Sequence, residues 1–203
     1  MKIATIPKLI VVEGPHGSGK TSLAKALVHR LRSDHVKALY TKEPYSQLLK
    51  KNISILASQR LRDPIALAYL IAADRHLHVA NLQKWAEEGI TNVSDRYLDS
   101  SVVYQRIDGI NLDLIERLNF FVPNPRFRIY INAPYRIRRS RLVQKLREQR
   151  SHIFLSEKAL RKEQRLYDEL IASRKGRPRC LVLDGSRPLA LNAERALAFV
   201  RGP

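Results

Sequence analysis

Cysteine is nearly absent: Cys180 is the only one in 203 residues. A lone thiol excludes an internal disulfide and a metal site built from cysteines, and Cys180 reads as a packing residue. Acidic residues are also scarce, with 19 Asp and Glu against 37 Lys and Arg, a formal net charge of +18. The deficit is uneven, because between Arg126 and Arg179 17 cations meet only five acids, a net +12. Such a block attracts polyanions. It suits a solvated basic surface, a triphosphate clamp or a nucleic-acid surface, and composition does not choose among them. No apolar run approaches the roughly 20 residues of a membrane span. The opening "MKIATIPK" is too short, and too soon followed by "LIVVEG", to read as a secretory signal. A cytoplasmic protein is expected. His29, His35, His76, His78 and His152 show no metal-binding spacing, and His76 and His78 would not share a helix face.

What is present is a regular alternation. Apolar residues make up 44% and charged residues 28%, an ordinary globular balance, and the length suffices for one domain with a sizeable core. Short apolar runs at 8–13, 36–41, 90–95, 127–132 and 180–184 read as five strands. Helical stretches separate them. Leu23, Leu27 and Leu31 form one stripe of an amphipathic helix. Further helices are expected around 45–58, 64–87 and 112–121, through a long Arg-rich region after 132, and at 189–200. Neither a repeat nor a low-complexity linker divides the chain. Strands alternating with helices predict one α/β domain over 1–203, three layers α/β/α around a central, mainly parallel five-stranded sheet. The charged stretch 147–152 is the best candidate for a mobile loop.

"GPHGSGKT" satisfies G-x-x-x-x-G-K-[ST] through Gly14, Gly19, Lys20 and Thr21. The glycines let the chain wrap so that successive N–H groups point at phosphate oxygens. The helix starting near Gly19 adds the positive end of its dipole. Lys20 would reach the β- and γ-phosphates and Thr21 would ligate Mg²⁺. The motif follows an apolar strand and opens an amphipathic helix, as this mechanism requires. It establishes nucleoside triphosphate binding, not the reaction.

Two further stretches leave polar residues at strand ends, where ligands bind in open α/β sheets. "YTKEP" places Lys42 and Glu43 past the second strand, and "VSDRYLDSSVVYQ" places Asp95 and Arg96 past the third. Asp95 suits a Mg²⁺ acid. Arg96 suits an anionic acceptor, since a guanidinium fork matches a phosphate.

With these residues in view, the chain resembles the thymidylate kinase family, P-loop kinases that pass the γ-phosphate of ATP to dTMP. "VVEGPHGSGKTSL" resembles the family's opening and "TKEP" its Thr-Arg-Glu-Pro. "LIAADRHLHV" resembles the helix that faces the base, "DRYLDSSVVYQ" the most specific stretch, "PNPRFRIYINAP" the strand after Pro-Asp, and "EKALRKEQRLYDELI" the helix after the lid. The resemblance implies that Gly14, Pro15, His16, Gly17, Ser18, Gly19, Lys20 and Thr21 hold ATP, with Mg²⁺ supported by Thr21, Asp95 and Glu43. Lys42 and Arg96 would bind the acceptor's phosphate, Arg75 its base edge, and Ser100, Tyr104 and Gln105 its base and sugar. Tyr104 would crowd a 2′-hydroxyl. Because Gly17 leaves no arginine inside the loop, Arg147 and Arg150, on a short basic lid at about 145–155 with Arg141 behind them, would neutralise the transferring phosphoryl group. Lys20, Arg96, Arg147 and Arg150 are thus the expected catalytic set. A homodimer packed through helices is implied, with 64–87 a candidate.

Three positions depart from the family's pattern. Lys42 replaces an arginine and loses its bidentate fork. Ile71 stands where the family usually stacks a phenylalanine on the base. His16 replaces an acid that faces the acceptor's sugar; its ring would hydrogen-bond that sugar, and neighbouring phosphates would favour its protonated form. Two alternatives follow: a kinase for another acceptor, such as dUMP, another nucleotide or a nucleoside, or a nucleotide-gated nucleic-acid-binding protein.

Overall fold

The computed structural model describes residues 4–58, 63–149, 156–177 and 179–202. Five strands form one sheet: β1 (Thr5–Glu13), β2 (Ala38–Lys42), β3 (Thr91–Asp95), β4 (Asn124–Asn132) and β5 (Cys180–Asp184), in the order β2-β3-β1-β4-β5. Every adjacent pair is parallel. All carboxyl ends therefore share one edge. Because β1 lies between β3 and β4, the chain order reverses on either side of it, and the crevice where ligands bind opens at its carboxyl end.

The sheet is buried on both faces, which explains why β1 is apolar almost throughout rather than alternating. Ile10 and Val12 point into a core completed by Leu23, Leu27 and Leu31 of α1 (Lys20–Ser33) and by Ala193 and Ala196 of α8 (Leu189–Arg201). Leu9 and Val11 point the other way, onto Val79 and Leu82 of α3 (Pro64–Glu87). Burying each such leucine or valine contributes about 1.5–3 kcal/mol. The three leucines expected as a stripe on α1 are all buried.

The remaining helices are α2 (Gln47–Ser58), α4 (Leu98–Ile107), α5 (Leu112–Leu118), α6 (Tyr135–Gln149) and α7 (Glu157–Arg174). Several boundaries differ from expectation. β1 begins at Thr5 rather than 8 and passes through Pro7 because its register against β4 shifts between Ile6 and Ile10, an irregularity that tolerates proline. β2 runs to Lys42 rather than stopping at 41, since Lys42 pairs with Asp95. The helix expected after the lid is present as α7, capped by Ser156, whose hydroxyl accepts from Ala159 N–H at 3.2 Å. α3 starts at the expected residue, with Asp63 accepting from Ile65 and Ala66 N–H and Pro64 in its first turn.

Candidate functional site

The loop between β1 and α1 wraps because two glycines let it. At Gly14 a β-carbon would sit 2.1 Å from the Ile131 carbonyl oxygen, and at Gly17, with φ of 76°, one would sit 2.6 Å from that of Arg138. Lys20 folds back under the loop, its Nζ donating to the Pro15 carbonyl at 3.1 Å. Burial, with Arg96 beside it, pushes its ammonium down to about 7. Thr21 Oγ1 donates to Asp95 Oδ2 at 2.5 Å, and the other oxygen, buried Asp95 Oδ1, has no partner among the described residues.

That orphaned carboxylate oxygen beside a threonine hydroxyl fits Mg²⁺, which takes one or two protein oxygens and completes its shell with phosphate and water. Among the described residues no group of three or more His, Cys, Asp or Glu is placed to hold a metal. Glu43, expected in that set, is committed elsewhere. Its carboxylate accepts from Arg75 Nε at 3.0 Å and Nη2 at 2.7 Å, and faces His78 Nδ1 at 3.1 Å. Both oxygens are engaged, so Thr21 and Asp95 are the pair left for a metal.

A cavity of about 400 Å³ opens over the loop and brings the two expected halves together. Gly17, Ser18, Gly19, Lys20 and Thr21 line one side, and Lys42 and Arg96 line the same space. Lys42 Nζ lies 3.6 Å from Asp95 Oδ2. Arg141 reaches across, its guanidinium donating to the Gly185 carbonyl at 3.0 Å. Gly185, Arg187, Leu189 and Asn192 close this end. Sequence reasoning missed them, since nothing in "DGSRPLALN" resembles a nucleotide motif; only the parallel placement of β5 beside β4 brings the loop after it to the phosphate loop.

On the acceptor side, α4 carries three of the expected residues. Ser100 Oγ donates to Glu13 Oε2 at 2.7 Å, and Arg96 Nη1 reaches Ser100 Oγ at 3.3 Å. Tyr104 donates to Glu163 Oε1 at 2.7 Å. Gln105 is buried, and neither its amide oxygen nor its nitrogen has a partner among the described residues. Arg75, expected at the base edge, is buried in the protein interior: besides Glu43 it donates to Asn119 Oδ1 at 2.6 Å and to the Tyr97 carbonyl at 3.3 Å. Ile71 sits one turn before it on α3, half-buried. The side chain of Arg147, near the end of α6, lies outside the described residues, as do Arg150, His152 and the rest of the expected lid to 155.

His16 is not placed as expected. Its Nδ1 lies 2.5 Å from Glu163 Oε1, and its Nε2 faces Arg96 Nη2 at 3.4 Å, so both ring nitrogens address protein groups. Burial pushes the ring down to about 4 despite the nearby carboxylate. Glu163 goes the other way: burial alone would raise it, but hydrogen bonds from His16 and Tyr104 hold it down near 2. Arg138 completes the cluster, donating to Glu163 Oε2 at 2.9 Å and to the His16 carbonyl at 2.8 Å. Three groups in this layer, Glu13, Arg138 and Glu163, were not singled out from sequence. Glu13 could have been, as an acid ending a buried strand; burial, with Asp99 nearby, raises it to about 7. Arg138 and Glu163 carry no local signal, being one cation and one acid in a charged helical stretch.

A family model for thymidylate kinase matches residues 12–195. The chain belongs to the thymidylate kinase family. Members of that family are phosphotransferases with ATP and nucleotide substrates. A probable thymidylate kinase from Metallosphaera sedula is 33% identical over 196 residues, covering 96% of this chain and 92% of the relative. A probable thymidylate kinase 1 from Saccharolobus solfataricus is 37% identical over 136 residues, 66% of this chain and 70% of the relative. In fold, the chain is similar to the crystal structure of thymidylate kinase from Ehrlichia chaffeensis, with a TM-score of 0.72 at 19% identity over 97% of this chain and 99% of that one. Among the described residues no helix is long and apolar enough to cross a membrane.

Proposed function

We propose that this protein transfers the γ-phosphate of ATP to dTMP, giving dTDP. One observation carries the reading: Lys20 and Thr21, which serve a donor triphosphate, line the same cavity as Lys42 and Arg96, which serve an anionic acceptor. Two polyanions brought end to end in one crevice need positioning and charge neutralisation, and little covalent help from the protein. The loop N–H groups and Lys20 hold the donor phosphates. Thr21 and Asp95 would hold Mg²⁺, which would neutralise charge on the donor phosphates. Arg96 and Lys42 orient the acceptor's phosphate in line. Arg141 and the loop at 185–189 close the donor end around the nucleoside. Gln105, a buried amide without a partner among the described residues, supplies a donor and an acceptor for a base edge. Arg75 supports the acceptor side indirectly, by holding Glu43. The similarity to probable thymidylate kinases supports dTMP as the acceptor.

The partner we propose for the exposed face of α3 is a second copy of the chain. Ile65, Tyr69 and Leu77 stand on that face at 52%, 56% and 47% exposure, spaced to form one stripe.

An ADP-release assay across nucleoside monophosphates tests the reading. dTMP should be the best acceptor, and Lys20→Ala should abolish transfer. Turnover with another nucleoside monophosphate and none with dTMP would overturn the acceptor; full activity of Lys20→Ala would overturn the role of the loop.

A further inference from the structure

Arg96 is held in an uncommon way: Nη1 reaches Ser100, which is bonded to Glu13, while two of its other side-chain supports lead to a single carboxylate. Its backbone has φ of 82°, a conformation a non-glycine residue keeps only where its surroundings over-determine it. Here Arg96 N–H donates to the Val12 carbonyl at 3.1 Å, and Ser94 Oγ donates to the Arg96 carbonyl at 2.6 Å. The guanidinium carbon lies 4.9 Å from the centre of the Tyr104 ring, and Nη2 faces His16 Nε2. Both of those side chains end on Glu163 Oε1, the tyrosine hydroxyl at 2.7 Å and the imidazole at 2.5 Å. The other oxygen of Glu163 is held by Arg138 at 2.9 Å, with both side chains almost completely buried. Arg138 also grips the His16 carbonyl, and Glu163 accepts from the His16 N–H at 2.9 Å, so the middle of the phosphate loop is clasped from α6 and α7 together.

Donor chemistry dictates the proton positions. A guanidinium only donates, so the His16 nitrogen facing Arg96 must present a lone pair. The carboxylate of Glu163, paired with Arg138, only accepts, so Nδ1 of His16 carries the proton. His16 is therefore a neutral ring of one tautomer between an anion and a cation. Its 3.4 Å contact to Arg96 is long for a hydrogen bond.

We propose that Glu163, acting through His16 and Tyr104, fixes the guanidinium of Arg96 in the orientation that receives the acceptor's phosphate. This rests on the assignment of Arg96 to the acceptor given under the proposed function. Glu163 and His16 are positioning residues, working through Arg96. The arrangement ties the aim of a residue after β3 to α7, the helix that follows the expected lid.

The test is a double-mutant cycle with a spectroscopic readout. His16→Phe keeps a ring and removes both nitrogens, and Glu163→Gln removes the anion. Each should lower kcat/KM for the acceptor by about 100-fold, the cost of misplacing a reacting group by roughly 1 Å, with a smaller rise in the KM for ATP, since both residues also hold the phosphate loop. The double variant should be no worse than the worse single variant, since both break one chain of contacts. Side-chain ¹⁵N spectra of the wild-type protein at pH 7 should show His16 as the Nδ1–H tautomer, and Glu163→Gln should shift it toward Nε2–H. Multiplying defects in the double variant, or an Nε2–H tautomer in the wild type, would overturn the proposal. If Glu163→Gln fails to fold, the wild-type tautomer and His16→Phe decide alone, and an unchanged acceptor KM and kcat in a folded His16→Phe protein overturns it. A wild-type protein that phosphorylates no nucleoside monophosphate overturns the kinase reading instead, and the His16 tautomer still decides the relay.

Discussion

Lys20 shows how one residue's chemistry is set by where the fold puts it. In an unfolded chain its ammonium is charged at any pH below about 10. Behind the phosphate loop, burial first and Arg96 second lower it to about 7. A bound polyphosphate adds negative charge beside it and raises it again. Donor binding at pH 8 is therefore expected to take up a proton at Lys20. Titration calorimetry of ATP binding in two buffers of different ionisation enthalpy should reveal uptake of up to one proton per site at pH 8. Donor affinity should weaken as pH rises from 7 to 9, and Lys20→Ala should lose this dependence. Equal heats in the two buffers would rule the coupling out. The sequence motif named Lys20 as a phosphate ligand without indicating that it waits there partly uncharged, because desolvation depends on neighbours far away in the chain.

At the scale of elements, α3 is joined to the end of β2 by a buried ion pair. Glu43, 5% exposed, is gripped through two nitrogens by Arg75, 1% exposed, and His78 contacts the same carboxylate. Such a pair is expensive to break from one side, since the remaining charge is left in a medium that cannot solvate it. Glu43→Ala should cost about 3–5 kcal/mol in urea unfolding. Glu43→Ala combined with Arg75→Met should cost less than Glu43→Ala alone, as no orphaned charge remains. Equal losses would mean that the effect comes from packing. The sequence placed one of them after a strand and the other on a helix, as they are in the fold. It could not tell that they face each other, because they are 32 positions apart and meet only when α3 packs over the sheet.

Across the whole molecule, the excess of positive charge looks different once folded. Of the cations between Arg126 and Arg179, Arg138 is buried against Glu163, Arg141 reaches the Gly17 and Ser18 carbonyls of the phosphate loop, and Arg128 and Arg174 lie near Asp99. A share of the basic block is thus built into the site rather than displayed as a surface. The exposed apolar stripe of α3 is the feature at this scale that asks for a partner. Replacing both Tyr69 and Leu77 with lysine should convert a dimer to monomers in analytical ultracentrifugation while leaving the helix content unchanged. A wild-type protein that sediments as a monomer at micromolar concentration would remove the second copy as that partner.

The sequence by itself determined the architecture and the donor loop. Apolar runs separated by helical periodicity impose a parallel sheet covered on both faces, and the spacing of Gly14, Gly19, Lys20 and Thr21 imposes a phosphate cradle, because both are local consequences of chain geometry. Boundaries slipped where a local rule was overridden: β1 extends past Pro7 through a register shift, and β2 runs on to Lys42 by pairing with Asp95. Only the tertiary structure decided which groups His16, Tyr104 and Arg96 meet. Glu163 lies 147 residues from His16, and no local pattern marks it. His16 looked like a substituted ligand in a loop; with Glu163 on one nitrogen and Arg96 on the other, it is a link between α7 and the residue after β3. That distinction lies in which groups share a buried hydrogen bond, a property of packing that a linear pattern does not contain.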